Sequence, residues 1–296
     1  MTTREPSVTE SVAPPVQPFL KWPGGKRWLA APLADVLRPH LTGEYIEPFL
    51  GSGAVFLALS PAQAHLSDVN QSLLECIDAV SRDTEAVLQA VWRFSNTEAC
   101  YYRVRAMRPR THITRAARFI YLNRTCWGGV YRLNRKGEFN TPYGNSGRPI
   151  CPRALLEAPS RVFARARLQC TDFEQVVCSA SAGDVVYADP PYVSRDEDSG
   201  FRRYTKNVFG WRAHVRPASA ARMAADAGAV VAVSLPWDRG VLDLYRGWLA
   251  LRLARHSCLA RTATSRRPVS EALVFSRPID LQAPLVVEAD AMLRLD

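Results

Sequence analysis

Lysine is scarce in this chain: of 38 Lys and Arg residues only Lys21, Lys26, Lys136 and Lys206 are lysine, and the first two flank a single glycine turn. No C-x-x-C pair occurs, and the seven cysteines are odd in number and scattered. This argues against a disulfide framework and a cysteine-built zinc site, and leaves small buried hydrophobe as the ordinary cysteine role. No apolar run is long enough to span a bilayer. The opening 17 residues, "MTTREPSVTESVAPPVQ", lack the apolar core of a secretory signal and read as a disordered lead-in. No fixed-period repeat is visible, which argues against a repeat architecture. These absences predict a soluble, cytoplasmic, monomeric protein with no metal centre and no membrane segment.

What is present bounds the answer further. A chain of 296 residues with 47% hydrophobic content suits one large domain, or one domain carrying an insertion. The net charge is +10, and its distribution is uneven. Between Tyr101 and Leu168 fifteen Arg and Lys face only two acids, Glu138 and Glu157, so this block carries +13 and the rest of the chain about −3. Ordinary solvated surfaces mix signs. A block of one sign points to a polyanionic partner, most simply nucleic acid.

Along the chain, "KRWLAAPLADVL" (26–37) has helical spacing after a Gly-Gly turn. "EYIEPFL" (44–50) reads as a strand, "GSGAVFLALS" as a glycine turn entering a helix, and "AHLSDVN" (64–70) as a second strand ending in an acid. Such a β-turn-α-β opening predicts a parallel sheet. From about residue 72 to 125 the periodicity is helical, and "GGVYRLNRKGEFNTPYG" reads as a hairpin turning at Asn134-Arg135-Lys136-Gly137. The α/β rhythm then resumes with "ARLQCTDF", "DVVYADPP", a helix ending at Gly228 and the strand "AVVAVSLPW"; "WLALRLARHS" and "EALVFSRP" suit an antiparallel pair. The expected division is a lead-in (1–17), an α/β domain (18–71 and 160–290) and a basic helical and hairpin insert (72–159).

Three motifs carry chemistry. In "EPFLGSGAVF", Gly51 and Gly53 let a ligand approach backbone N–H groups where a strand feeds a helix. Asp68 follows Gly51 by 17 residues, at the end of the next strand, where an acid can accept from both hydroxyls of a ribose. Phe56 stands where the dinucleotide fingerprint has its third glycine, which favours a nucleoside cofactor without a pyrophosphate. In "FLKWPGGKRW" (19–28), Trp22 and Lys26 bracket the Gly24-Gly25 turn with a flat apolar face that can pack against a ligand and a cation that can pair with a ligand's carboxylate. In "YADPPY", Asp189 offers carboxylate oxygens and Pro190 a backbone carbonyl with no competing N–H. Two adjacent acceptors suit an amino group with two N–H donors. Gripping both hydrogens of an exocyclic base amine localises its lone pair, and Tyr192 supplies a face on which the base can stack.

In this order, "FLKWPGGK", "EPFLGSGAVF", "LSDVN", "YLNRTCWGGVYRLNRKGEFNTPYG" and "YADPPY" resemble the Dam-type, alpha-ordered DNA adenine-N6 methyltransferases over roughly residues 18 to 280. The resemblance implies a Rossmann-like S-adenosylmethionine-dependent methyltransferase sheet with an inserted helical and hairpin target-recognition domain. It implies S-adenosylmethionine held by Trp22, Lys26, Phe49, Gly51, Gly53, Asp68 and Asp189. An adenine flipped from duplex DNA would be held by Asp189, Pro190 and Tyr192. Lys21, Arg124, Trp127, Val130 and Arg132 match DNA-contacting positions, Trp127 falling where an aromatic wedge enters the base stack. GATC is the best-matched target.

The chain departs from that pattern in two places. Gly128 stands where a polar residue is expected after the wedge, and "SLPWDRG" (234–240) replaces a polar Ser-Asn-His segment, which leaves the walls of the adenine pocket open. A loop bearing Phe201, Tyr204, Asn207 and Phe209 is a candidate lid. Two other readings stay open at this level: an inactive DNA-binding module on a methyltransferase fold, and transfer to RNA or to a protein amide, for which the related motif opens with Asn rather than Asp.

Overall fold

A computed structural model of the chain describes residues 15–144, 150–191, 211–256, 268–279 and 289–295. Eight strands form one sheet: β1 (Tyr45–Glu47), β2 (Ala64–Asp68), β3 (Ala166–Cys170), β4 (Val185–Ala188), β5 (Val230–Pro236), β6 (Leu249–His256), β7 (Pro268–Phe275) and β8 (Ala289–Arg294). Their spatial order is β3-β2-β1-β4-β5-β7-β6-β8. The first five run parallel, while β7 pairs antiparallel with both β5 and β6, and β8 antiparallel with β6. The expected parallel sheet and the expected pairing of the two late strands are both present. The chain order reverses between β1 and β4, which pair through Tyr45 with Val185 and Ile46 with Val186. Ligands of open α/β sheets bind beyond the carboxyl ends of the strands at such a reversal.

The helices are α1 (Arg27–Leu37), α2 (Ala54–Leu59), α3 (Gln71–Arg82), α4 (Thr84–Trp92), α5 (Glu98–Ala106), α6 (His112–Thr125), α7 (Arg153–Phe163), α8 (Phe173–Val177), α9 (Arg212–Asp226) and α10 (Arg239–Leu242). Local sequence sets several of their starts. Asn70, Thr97 and Thr111 each accept a backbone N–H from the first turn of α3, α5 and α6, the usual role of such residues at a helix N-cap.

Side-chain alternation along the strands divides the core in two. Tyr45, Val185, Tyr187, Ala232, Leu251 and Leu273 pack with residues of α1, α2, α3, α4, α6 and α7 on one face. Ile46, Val186, Val231, Val233, Ala250 and Val274 pack with α8, α9 and α10 on the other. Burial on both faces explains why "DVVYA" and "AVVAVSL" are continuous apolar runs rather than alternating ones. A third, smaller core holds Cys100, Tyr101 and Val104 of α5, Tyr121 and Leu122 of α6, then Cys126 and Phe139. Within 72–159, therefore, α3, α4, α7 and the first turns of α6 cover the sheet, while α5, the last turns of α6 and the hairpin build a satellite.

The hairpin turns where the sequence predicts. Leu133 bridges Phe139 and Cys126 bridges Tyr143. Asn134 N–H donates to Glu138 O at 2.8 Å, and the Asn134 side-chain oxygen accepts from Lys136 and Glu138 N–H at 2.9 and 3.0 Å. Gly137 supplies the positive φ of 76° that the turn needs. No helix among the described residues is long and apolar enough to cross a membrane.

Candidate active site

The predicted site residues lie on five separate stretches of chain, and the sheet brings most of them to one edge. Asp189 is the first residue past β4, Glu47 closes β1 and Asp68 closes β2, so three acids stand at the carboxyl ends of neighbouring strands. Lys26 caps α1 and reaches across: its Nζ lies 2.8 and 2.9 Å from the Oδ1 and Oδ2 of Asp189, and 3.5 Å from the Oε2 of Glu271. Lys26 and Glu271 are 4% and 1% exposed, while the Asp189 carboxylate keeps 21%. Asp189 is thus the open member of this charged group, with its buried partner behind it.

Sequence reasoning missed Glu271 and Glu47. Glu271 lies on β7 opposite Pro236 of β5 and Leu253 of β6. Glu47 accepts from the Tyr45 hydroxyl at 2.8 Å and from Phe56 N–H at 3.2 Å. Burial pushes the Glu47 carboxyl up to about 8, the Asp189 charge pushes the same way, and the two hydrogen bonds oppose both. The available signal was a lone acid inside an apolar run, "YIEPF" and "SEALVF", since acids are rarely fully buried without partners. Beneath Asp189, the buried Tyr187 hydroxyl meets Ser234 Oγ at 2.9 Å. Burial raises the Tyr187 phenol far above its usual range, and the nearby Asp189, Glu47 and Glu271 charges add to this.

The glycine turn forms as expected. Gly51 and Gly53 have φ of 50° and 66°. Gly51 N–H donates to Asp68 Oδ2 at 3.0 Å, and Asn70 N–H to Asp68 Oδ1 at 2.9 Å. Burial lifts the Asp68 carboxyl while these backbone donors and that of Val69 oppose it. A Cβ on Gly51 would fall 2.8 Å from Trp22 Cδ1, and one on Gly53 would fall 3.0 Å from Phe163 Cζ. The indole of Trp22 therefore closes directly on the turn. Phe49 stacks on Phe173 with ring centroids 5.0 Å apart, at the flank of the same edge. Pro190 is buried and Pro191 exposed. Tyr192 and the candidate lid residues Phe201, Tyr204, Asn207 and Phe209 lie outside the described residues.

The five positions matched to DNA contacts occupy a neighbouring surface. Trp127 is 52% exposed on a short turn after α6. Val130 and Arg132 follow on the hairpin, and Arg132 is braced by Asn140, whose side-chain and backbone oxygens accept from it at 2.8 and 3.2 Å. Lys21 and Arg124 stand nearer the sheet. Lys21 Nζ donates to Arg124 O at 3.4 Å, and the Arg124 guanidinium donates to Ile150 O at 2.6 Å and Phe19 O at 3.2 Å. The Arg124 guanidinium thus braces the lead to Trp22 from within the protein. Among the described residues no group of three or more His, Cys, Asp or Glu side chains is arranged to hold a metal ion.

Residues 22–247 match the family described as D12 class N6 adenine-specific DNA methyltransferase. Curated relatives agree along most of the chain. The type II methyltransferase M1.LlaDCHI of Lactococcus lactis subsp. cremoris is 30% identical over 88% of this chain and 95% of its own length. The type II methyltransferase M.MjaIII of Methanocaldococcus jannaschii is 33% identical over 79% and 89%. The DNA adenine methylase of Escherichia coli K12 is 34% identical over 64% and 70%. Taken with the strand order and the acids at its reversal, these matches assign the chain to the D12 class N6 adenine-specific DNA methyltransferases.

Proposed function

We propose that this chain methylates N6 of adenine in duplex DNA, and that the paired Lys26 and Asp189 form the centre of the site. The observation that carries the reading is the two-oxygen contact of Lys26 Nζ with Asp189 at the mouth of β4. A carboxylate in such a pair is fixed in rotation, and its lone pairs outnumber the two contacts Lys26 makes. Asp189 is therefore an oriented acceptor. Its role is to receive one N–H of the adenine amine while the Pro190 carbonyl receives the other. This positions the nitrogen lone pair and stabilises the positive charge that develops there. The adenine leaves the duplex to reach them, because a stacked base keeps its amine inside the helix, and Tyr192 is proposed to stack on it.

S-adenosylmethionine is the donor, and when bound it supplies an electrophilic methyl group. The residues present fit it. Gly51 leaves the backbone bare beside Trp22, and Asp68 stands at the next strand end with its oxygens turned to that backbone. Trp22, Phe49, Gly51, Gly53 and Asp68 are assigned to hold it beside Lys26 and Asp189. Within residues 72–159, α5, the last turns of α6 and the hairpin are assigned to target recognition. Trp127 enters the base stack, Val130 and Arg132 read base edges, and Lys21 and Arg124 stand at the foot of this surface. GATC is the proposed target, and the enzyme is proposed to act as a cytoplasmic monomer.

The test is a methyl-transfer assay with duplex DNA, structured RNA and protein acceptors, followed by modification-sensitive sequencing of the DNA. N6-methyladenine at one short sequence, in duplex DNA alone, is the expected result. Transfer to another acceptor, or no donor binding by calorimetry, would overturn the reading.

A further inference from the structure

Tyr131 sits between the two residues assigned to base reading, Val130 and Arg132, yet its own side chain points the other way. Its ring stacks on Trp22 with centroids 5.7 Å apart and planes 21° from parallel, and it also packs against Phe119 and Phe139. The Cδ1 and Nε1 edge of that same Trp22 closes on Gly51, and Gly51 N–H is a donor that holds Asp68 Oδ2. One side chain on the hairpin thus reaches both halves of the donor site through Trp22: Gly51 directly, and Asp68 through Gly51.

The segment carrying Trp22 cannot move independently of this surface. The buried Asn123 at the end of α6 accepts Lys21 N–H at 2.8 Å and donates to Lys21 O at 2.7 Å. Any Cβ on Gly129 would overlap the Lys21 side chain. Close-packed contacts of this kind transmit displacement, because there is no free volume to absorb it.

We infer that Tyr131 is a positioning residue that couples target recognition to donor binding, so that target DNA and S-adenosylmethionine each tighten the binding of the other. Filling the donor site fixes Gly51 and Asp68, and with them Trp22. Trp22 in turn fixes Tyr131, and hence the hairpin backbone that aims Val130 and Arg132. Whichever ligand binds first bears the ordering cost, and the second binds to an ordered partner. Linkage makes the effect reciprocal. This inference rests on the donor-site and hairpin assignments proposed above.

The experiment is calorimetric titration of the full chain with S-adenosylhomocysteine, which has no methyl to transfer, alone and with saturating duplex. Two duplexes are used, one carrying the methylated sequence found by sequencing and one with that sequence scrambled. Wild type is expected to bind at least about fivefold tighter with the target duplex than with the scrambled one, at the low end of typical coupling between sites. In Tyr131→Leu the ratio should fall below twofold, and Tyr131→Phe, which keeps the ring stack, should stay within about twofold of wild type. A wild-type ratio near one, or a Tyr131→Leu ratio equal to wild type, overturns the coupling. Should Tyr131→Leu fail to fold, Tyr131→Met, which keeps bulk and loses the ring face, decides: a ratio reduced at least twofold supports the inference and an unchanged ratio defeats it. Failure of wild type to bind S-adenosylhomocysteine at all would instead defeat the donor-site assignment beneath it.

Discussion

Lys26 Nζ lies within 2.9 Å of both carboxylate oxygens of Asp189, although 163 residues separate them in the chain. The contact ties the Gly24-Gly25 turn to the end of β4 and orients the acceptor before any ligand arrives. It also makes the pair a unit. Asp189→Ala should lower turnover by about 100-fold or more while duplex affinity, measured by fluorescence anisotropy, stays within about twofold. In a cycle with Lys26→Met and Asp189→Asn, the double variant should be less impaired than the product of the single effects, as for residues in direct contact. Near-normal turnover in Asp189→Ala would remove it from the mechanism.

Glu47 gives the fold a pH dependence with a definite sign. Its carboxyl is raised by burial to about 8, so the folded protein holds a proton there that the unfolded chain releases near the ordinary glutamate value. The stabilisation is complete below that ordinary value and is lost as pH rises toward 8, at about 1.4 kcal/mol per pH unit. Glu47→Gln keeps an acceptor for Tyr45 and Phe56 and carries no titrating proton. Urea unfolding between pH 5 and 8 should show wild type losing stability relative to this variant, on the order of 4 kcal/mol over the window. Parallel stability profiles would show that Glu47 titrates normally.

Gly51 combines a φ of 50° with the Trp22 indole where a Cβ would stand. Gly51→Ala should therefore cost about 1–2 kcal/mol for the backbone conformation, plus displacement of Trp22. Donor affinity by calorimetry should fall by at least about tenfold while thermal unfolding remains cooperative. An alanine variant that binds donor as wild type does would take the turn out of the donor site.

Arg132 is held by Asn140 from the opposite arm of the hairpin, which fixes its guanidinium in place. Arg132→Ala should relax discrimination at one base pair by about 1–3 kcal/mol and leave the remaining positions intact. Sequencing of methylated sites in mixed-sequence DNA reads this directly. An unchanged site preference would make Arg132 a backbone contact or a structural residue.

Much of this protein was legible before folding. "EPFLGSGAVF" and "LSDVN" announced a strand, a positive-φ turn and an acid at the next strand end, because only glycine adopts such turns freely and parallel strands with two buried faces need apolar runs. "NRKG" announced the hairpin turn through the Asn and Gly chemistry of tight turns. The fifteen basic residues between Tyr101 and Leu168 announced an anionic partner. All of these are local or compositional properties, and neighbouring residues suffice to determine them.

Tertiary structure alone decided what the strongest side chains touch. The sequence pairs Lys26 with a ligand's carboxylate, whereas the fold pairs it with Asp189 and Glu271, because β4 and β7 arrive at the same edge and bring the overlooked Glu271 to within 3.5 Å. Arg124 matches a DNA-contacting position by resemblance, and only the fold shows its guanidinium donating to the carbonyls of Ile150 and Phe19. Tyr131 reads as one more hairpin residue until the fold lays it on Trp22. The physical reason is common to all three. Periodicity and turn chemistry report on a few successive residues, whereas a salt bridge or ring stack is set by the crossing of elements distant in sequence, whose close packing no local pattern encodes.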